Sequence, residues 1–71
     1  MRTFKVKLHE VTETGTVREV PGFAIDAEGH DDAKPMVLKR LRDDFGYKVV
    51  RGVSFTTDGH MAAYVVAKEG T

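Results

Sequence analysis

Glu28, His30, Asp31, Asp32, Asp58 and His60 are the residues of this chain best suited to hold a metal or move a proton together. Two imidazoles with several carboxylates suit Zn²⁺ or another divalent cation. Their spacing matches no recognised ligand pattern, so only topology would unite them. If a strand ends at Ala27 and a helix then carries the chain back across a sheet, the next strand ends at the same sheet edge. His30, Asp31 and Asp32 would then lie beside Asp58 and His60, with Glu28 close by and His9 at the opposite end. The plainer account is that the aspartates cap a helix, Asp58 forms a turn and the histidines are solvated. That account is preferred, and no metal ligand is assigned.

Other chemistry is excluded more directly. The chain has no cysteine, which removes disulfides, thiolate nucleophiles and Cys-ligated zinc. Ser54 is the only serine, and it has no nucleophile-elbow context. No glycine pattern suited to phosphate is present, and 71 residues leave little volume for an enclosed pocket. The expectation is a protein that is not an enzyme and carries no cofactor.

Charge gives a second set of candidates. Lys plus Arg and Asp plus Glu both number 11, so formal net charge is zero. A dedicated nucleic-acid binder usually carries a basic excess. Two local basic strips remain, Lys5 with Lys7 on the first strand and Lys39, Arg40 and Arg42 on the helix. No apolar run reaches membrane-spanning length. The opening residues alternate polar and apolar without a signal-peptide core. These features predict a cytoplasmic protein with no membrane partner.

The elements that position these residues follow from periodicity. In the stretch 31–47, Ala33, Val37, Leu38, Leu41 and Phe45 form one apolar stripe at helical spacing. Asp32 is the favoured N-cap, because Pro35 then falls where its missing N–H costs no helical bond. Gly46 ends the helix in a left-handed turn that folds Tyr47 back on Leu41. Asp43 and Asp44 sit at the unfavourable end of the helix dipole, with Lys39 and Arg40 four residues before them.

Residues 3–11 alternate, with Phe4, Val6 and Leu8 on one face. After a polar turn at 12–15, residues 16–27 form the second strand. Val20 has the wrong parity for Phe23, Ile25 and Ala27, and a bulge at Pro21-Gly22 would restore all four to one face. Proline also makes this an edge strand. The third strand spans 47–56, placing Val49, Val53 and Phe55 inward and Val50 outward. Asp58-Gly59 signals a two-residue hairpin, and the fourth strand spans 61–67. A frayed tail covers residues 69–71. The result is a single α+β domain over residues 1–71, a two-layer ββαββ arrangement. Its four-stranded, mainly antiparallel sheet has one helix packed on one face. The expected core is Phe4, Val6, Leu8, Phe23, Ile25, Val37, Leu38, Leu41, Phe45, Val53 and Phe55.

The opposite sheet face is where function is expected. A two-residue turn at Asp58-Gly59 sends Ala62, Tyr64 and Val66 inward. It leaves Met61, Ala63, Val65 and Ala67 on the uncovered face near Val50, with Lys5 and Lys7; a three-residue bulged turn would swap the two sets. Either way one small apolar stripe is left uncovered, which suits a non-enzymatic protein-interaction or accessory domain. Such a domain would self-associate as a homodimer through that face or an edge strand. An RNA- or DNA-binding module using Lys5, Lys7, Lys39, Arg40 and Arg42 is the alternative. Sheet-based readers stack bases on exposed aromatics, and here only Tyr64 can turn outward, in the other register. A small inhibitor docking on a larger complex is a third reading, resting on size alone.

The run FAIDAEGHDDA…VLKRLRDDFGYKVVRGVSF resembles the strand–helix–strand unit of the archaeal ribosomal protein LX family. Shared features are an apolar strand ending in Ala, a helix opened by acids and Ala, a following Gly and a Val-rich strand. The likeness covers half the chain and implies no functional residue.

Overall fold

Two hairpins and one helix account for nearly the whole chain. The computed structural model describes residues 1–67, so the tail expected at 69–71 lies outside the described residues. The elements are β1 (Arg2–Val11), β2 (Val17–Ala27), α1 (His30–Asp43), β3 (Val50–Phe55) and β4 (Met61–Val66). They form one four-stranded sheet in the order β2-β1-β4-β3. Each hairpin is antiparallel, and β1 runs parallel to β4 at the centre. The helix covers one face, as the single apolar stripe requires.

The first hairpin follows its sequence pattern closely. Leu8 pairs with Val20, and Val6 pairs with Phe23, so the ladder skips at Pro21-Gly22. That bulge puts Val20, Phe23, Ile25 and Ala27 on the helix side. Gly22 is required there, because a Cβ would lie 2.0 Å from the Val6 carbonyl oxygen. β2 is an edge strand, consistent with its proline.

The helix begins earlier than expected. Its N-cap is Gly29, and no side chain caps it. Asp32 therefore lies inside the first turn rather than at the cap. Pro35 then falls beyond the first turn, where its missing N–H forfeits one bond. Two things offset this start. Asp31 and Asp32 face the positive end of the helix dipole. The His30 ring, the first helical side chain, packs on Phe55 and Phe4 at centroid distances of 4.3 and 5.7 Å. At the other end Gly46 takes φ 77°. The Tyr47 N–H then bonds the Leu41 carbonyl at 2.9 Å, one residue wider than a Schellman bond. Arg40 pairs with Asp44 at 2.7 Å, which offsets the misplaced acid.

The core differs from expectation on its second half. Phe4, Val6, Leu8, Ile25, Val37 and Leu41 are buried as the pattern predicts. Phe23, Phe45, Val53 and Phe55 are partly buried against that cluster. Leu38 is 36% exposed, at the margin of the helical stripe rather than its centre. Ala27, Ala33, Tyr47, Met61, Ala63 and Val65 join the core instead.

Met61, Ala63 and Val65 were expected on the uncovered face, and their burial reverses that expectation. The cause is the second hairpin's loop. Phe55 pairs with Met61, and the Thr56 N–H bonds the His60 carbonyl at 2.8 Å, leaving three residues in the loop. A two-residue type I′ turn needs positive φ at both central residues. No non-glycine residue here adopts it, and only Gly59 does, at 84°. Val50 is also turned inward, because a register shift between Val50 and Gly52 makes Arg51 a bulge. Val49 is 51% exposed in consequence. Ala67 lies just past β4, half-buried, with its N–H on the Val11 carbonyl at 3.0 Å.

Candidate binding face

The uncovered sheet face is set by alternation along the two central strands. On β1 the buried residues are Phe4, Val6, Leu8 and Glu10, so Lys5, Lys7 and His9 stand on the other side. On β4 the buried Met61, Ala63 and Val65 leave Ala62 and Tyr64 outward. Parallel pairing puts Lys7 beside Ala62 and His9 beside Tyr64. The His9 and Tyr64 rings stack, with centroids 4.8 Å apart and planes within 18°. Tyr64 is 38% exposed.

The surroundings of this pair are unequal. His9 is opposite Glu19 on β2. Tyr64 is opposite Gly52 on β3. A Cβ built on Gly52 meets nothing within 4 Å, so the Tyr64 side chain leaves that position open. Ser54, exposed, is on the same face of β3, opposite Ala62. At the β2 margin, Asp26 accepts a 2.7 Å hydrogen bond from the Thr3 hydroxyl. The face therefore carries Lys5 and Lys7 near its centre and Glu19 and Asp26 at one border.

The five basic residues that sequence suggested do not share a surface. Lys5 and Lys7 lie on the open face. Lys39, Arg40 and Arg42 lie on α1, across the sheet. Arg40 is further occupied by Asp44 and by Phe23, whose ring lies 5.3 Å from its guanidinium carbon.

The topology expected around His30 is present, since its ring abuts the last residue of β3. The ring packs against Phe55 and Phe4, and His30, Glu28, Asp31 and Asp32 are all exposed. His60 is half-buried, and its Nδ1 lacks a hydrogen-bond partner among the described residues. Its backbone N–H reaches the Thr56 hydroxyl at 3.2 Å and Asp58 Oδ1 at 3.3 Å. The Thr56 hydroxyl also donates to Asp58, which holds that carboxyl below its ordinary value of 3.8. Among the described residues, no three His, Asp or Glu side chains are grouped to hold a metal ion. Nor is any helix there long and apolar enough to cross a membrane.

One polar cluster escaped the sequence reading. Glu10 continues the inward parity of Phe4, Val6 and Leu8, and only 8% of it is exposed. Its carboxylate accepts from Tyr47 Oη at 2.6 Å and from Arg18 Nη2 at 2.5 Å. Burial and the adjoining carboxylate push the Tyr47 phenol up to about 12. The cluster ties the first hairpin to the segment after the helix. The signal was present, since strict alternation places Glu10 inside and Arg18 directly across from it.

Comparisons with protein-family models, with curated proteins and with solved structures found no match.

Proposed function

We propose that the uncovered sheet face binds unpaired nucleic acid, as a small module with no catalysis of its own. The observation that carries this reading is the outward His9–Tyr64 stack, with Lys7 next to it and Lys5 further along the same face of β1. Exposed aromatics on a sheet offer every base a π-face, and lysines alongside follow the phosphates. The objection raised by the expected register, that all aromatics face the core, no longer applies to Tyr64.

Zero net charge bounds the affinity. With two lysines neutralising two phosphates, log K should fall against log salt with a slope of about −1.4 for a single strand. Stacking on Tyr64 adds about 1–3 kcal/mol per base. Fluorescence anisotropy with labelled eight-nucleotide RNA and DNA strands tests this. Expected is micromolar-or-weaker binding that Tyr64→Ala weakens about 5- to 160-fold, with little affinity for duplex. Equal affinity of wild type and Tyr64→Ala would defeat the reading.

A second reading, self-association, keeps one supporting observation. β2 is 11 residues long and unpaired along its outer margin, with Val17 54% exposed. The Pro21-Gly22 bulge and the charges of Arg18, Glu19 and Asp26 oppose edge pairing there. Sedimentation across a hundredfold concentration range distinguishes the two. A monomer throughout removes the homodimer.

A further inference from the structure

We infer that the face takes bases one at a time, in an open slot between the free side of the Tyr64 ring and the backbone of Gly52. This rests on the nucleic-acid reading and adds where the base goes and which residue admits it. Three observations converge on the slot. The first is that one side of the Tyr64 ring is already covered by His9, at 4.8 Å and 18°. A further planar group can stack only on the opposite side, which faces β3. The second is that β3 presents Gly52 there, with nothing within 4 Å of where its Cβ would be. The third is the contrast across the pair. The corresponding position beyond His9 is Glu19, whose side chain and negative charge repel a nucleotide.

The slot has a floor, one wall and one polar end. Gly52 is the floor and Tyr64 the wall. Ser54, two residues along the same face, offers a hydroxyl that can donate to or accept from a base edge. β3 is an outer strand, so the slot is open to the side and a strand can enter without threading. Lys7 lies beyond Ala62, on the other side of β4, where it meets phosphate rather than base. With one free ring face as its wall, the slot suits an unpaired base, since a base in a duplex already has both faces stacked. Purines, with the larger stacking surface, are favoured over pyrimidines.

Gly52 is the positioning residue. Its φ is not in the left-handed region, and a side chain there has space, so Gly52→Val is compatible with the backbone. Valine also suits a strand better than glycine does. The test uses fluorescence anisotropy on the full chain with labelled eight-nucleotide oligoadenylate, oligouridylate and an abasic strand of the same length. The expected result is that Gly52→Val keeps the wild-type thermal midpoint or raises it. It loses at least about fivefold in oligoadenylate affinity, as Tyr64→Ala does, and binds the abasic strand as wild type does. The double variant should be no weaker than either single one, because both remove the same base.

If Tyr64→Ala weakens binding and Gly52→Val does not, the base stacks elsewhere and the slot is refuted, while the nucleic-acid reading stands. If wild type binds the abasic strand as tightly as oligoadenylate, both fall. A wild-type measurement keeps the test independent of folding. Adenine ring protons should show NOEs to the Gly52 Hα protons, and NOEs to the Glu19 side of His9 instead would overturn the slot.

Discussion

Replacing Tyr47 by Phe should destabilise this domain far more than its small chemical change suggests. The ring is 7% exposed and would stay in place. What is lost is the 2.6 Å hydrogen bond from its hydroxyl to the Glu10 carboxylate. Hydrogen bonds to charged groups contribute about 1.5–3 kcal/mol, and the remaining acceptor is buried. Arg18 cannot replace the phenol, because 67% of its side chain is exposed and solvent screens that pair. A loss of about 2 kcal/mol lowers Tm by on the order of 10 °C for a domain this small. Urea unfolding monitored by circular dichroism measures it, with m unchanged between variants.

The pH dependence of that loss gives a second check on the same residue. The Tyr47 phenol is raised from 10.0 to about 12 by burial and by Glu10. A raised folded value means the protonated phenol is favoured by folding. Its contribution is complete below pH 10 and is lost as pH rises toward 12. The gap between wild type and Tyr47→Phe should therefore be constant from pH 6 to 9 and narrow only above about pH 10. A loss below about 0.5 kcal/mol at neutral pH, the range of ordinary surface changes, would refute the assignment of Glu10 and Tyr47 as a buried latch.

Other expectations concern the register and the turns. Gly22→Ala should unfold the chain or cost more than about 3 kcal/mol, since its Cβ would sit 2.0 Å from the Val6 carbonyl oxygen; thermal melts measure this. Val65→Glu, which a solvent-facing β4 stripe would tolerate, should unfold the chain, because Val65 is fully buried; native circular dichroism in that variant would contradict the register. Val37→Ala should cost about 2 kcal/mol or more and Leu38→Ala clearly less, as Val37 is 0% and Leu38 36% exposed; chemical denaturation compares them. Asp58→Asn should flatten the acid limb of the stability profile. Thr56 holds this carboxyl below 3.8, so its contribution is present above that value and fades as pH falls through the folded value.

Sequence carried the first half of the fold further than the second. The Pro21-Gly22 bulge was legible because Val20 and Phe23 have opposite parity and proline cannot pair on both sides. Gly46 was legible as the helix end. The second hairpin misled because Asp-Gly is the strongest two-residue turn signal. A better clue was present in both loops, Thr12-Glu13-Thr14-Gly15-Thr16 and Thr56-Thr57-Asp58-Gly59-His60. In each, the first N–H bonds the last carbonyl, and the glycine N–H bonds the first carbonyl. Each opening threonine also receives the N–H of the fifth residue on its hydroxyl at 3.2 Å. The shared spacing marks a three-residue loop with glycine at positive φ, 85° at Gly15 and 84° at Gly59.

That one-residue difference decides the candidate site, since a slip of one exchanges the two faces of a strand. It moved Met61, Ala63 and Val65 into the core and brought Tyr64 beside His9. The His9–Tyr64 neighbourhood was not legible for a further reason. It depends on β1 and β4 lying side by side, a contact between the chain's two ends with no local signature.

The most direct test of the binding face is an amide NMR titration of the labelled chain with unlabelled oligoadenylate at low salt. We predict fast-exchange shifts at Lys5, Lys7, His9, Gly52 and Tyr64 that fade as salt rises. Shifts centred on α1 or on the outer margin of β2, with those five residues unmoved, would contradict the account.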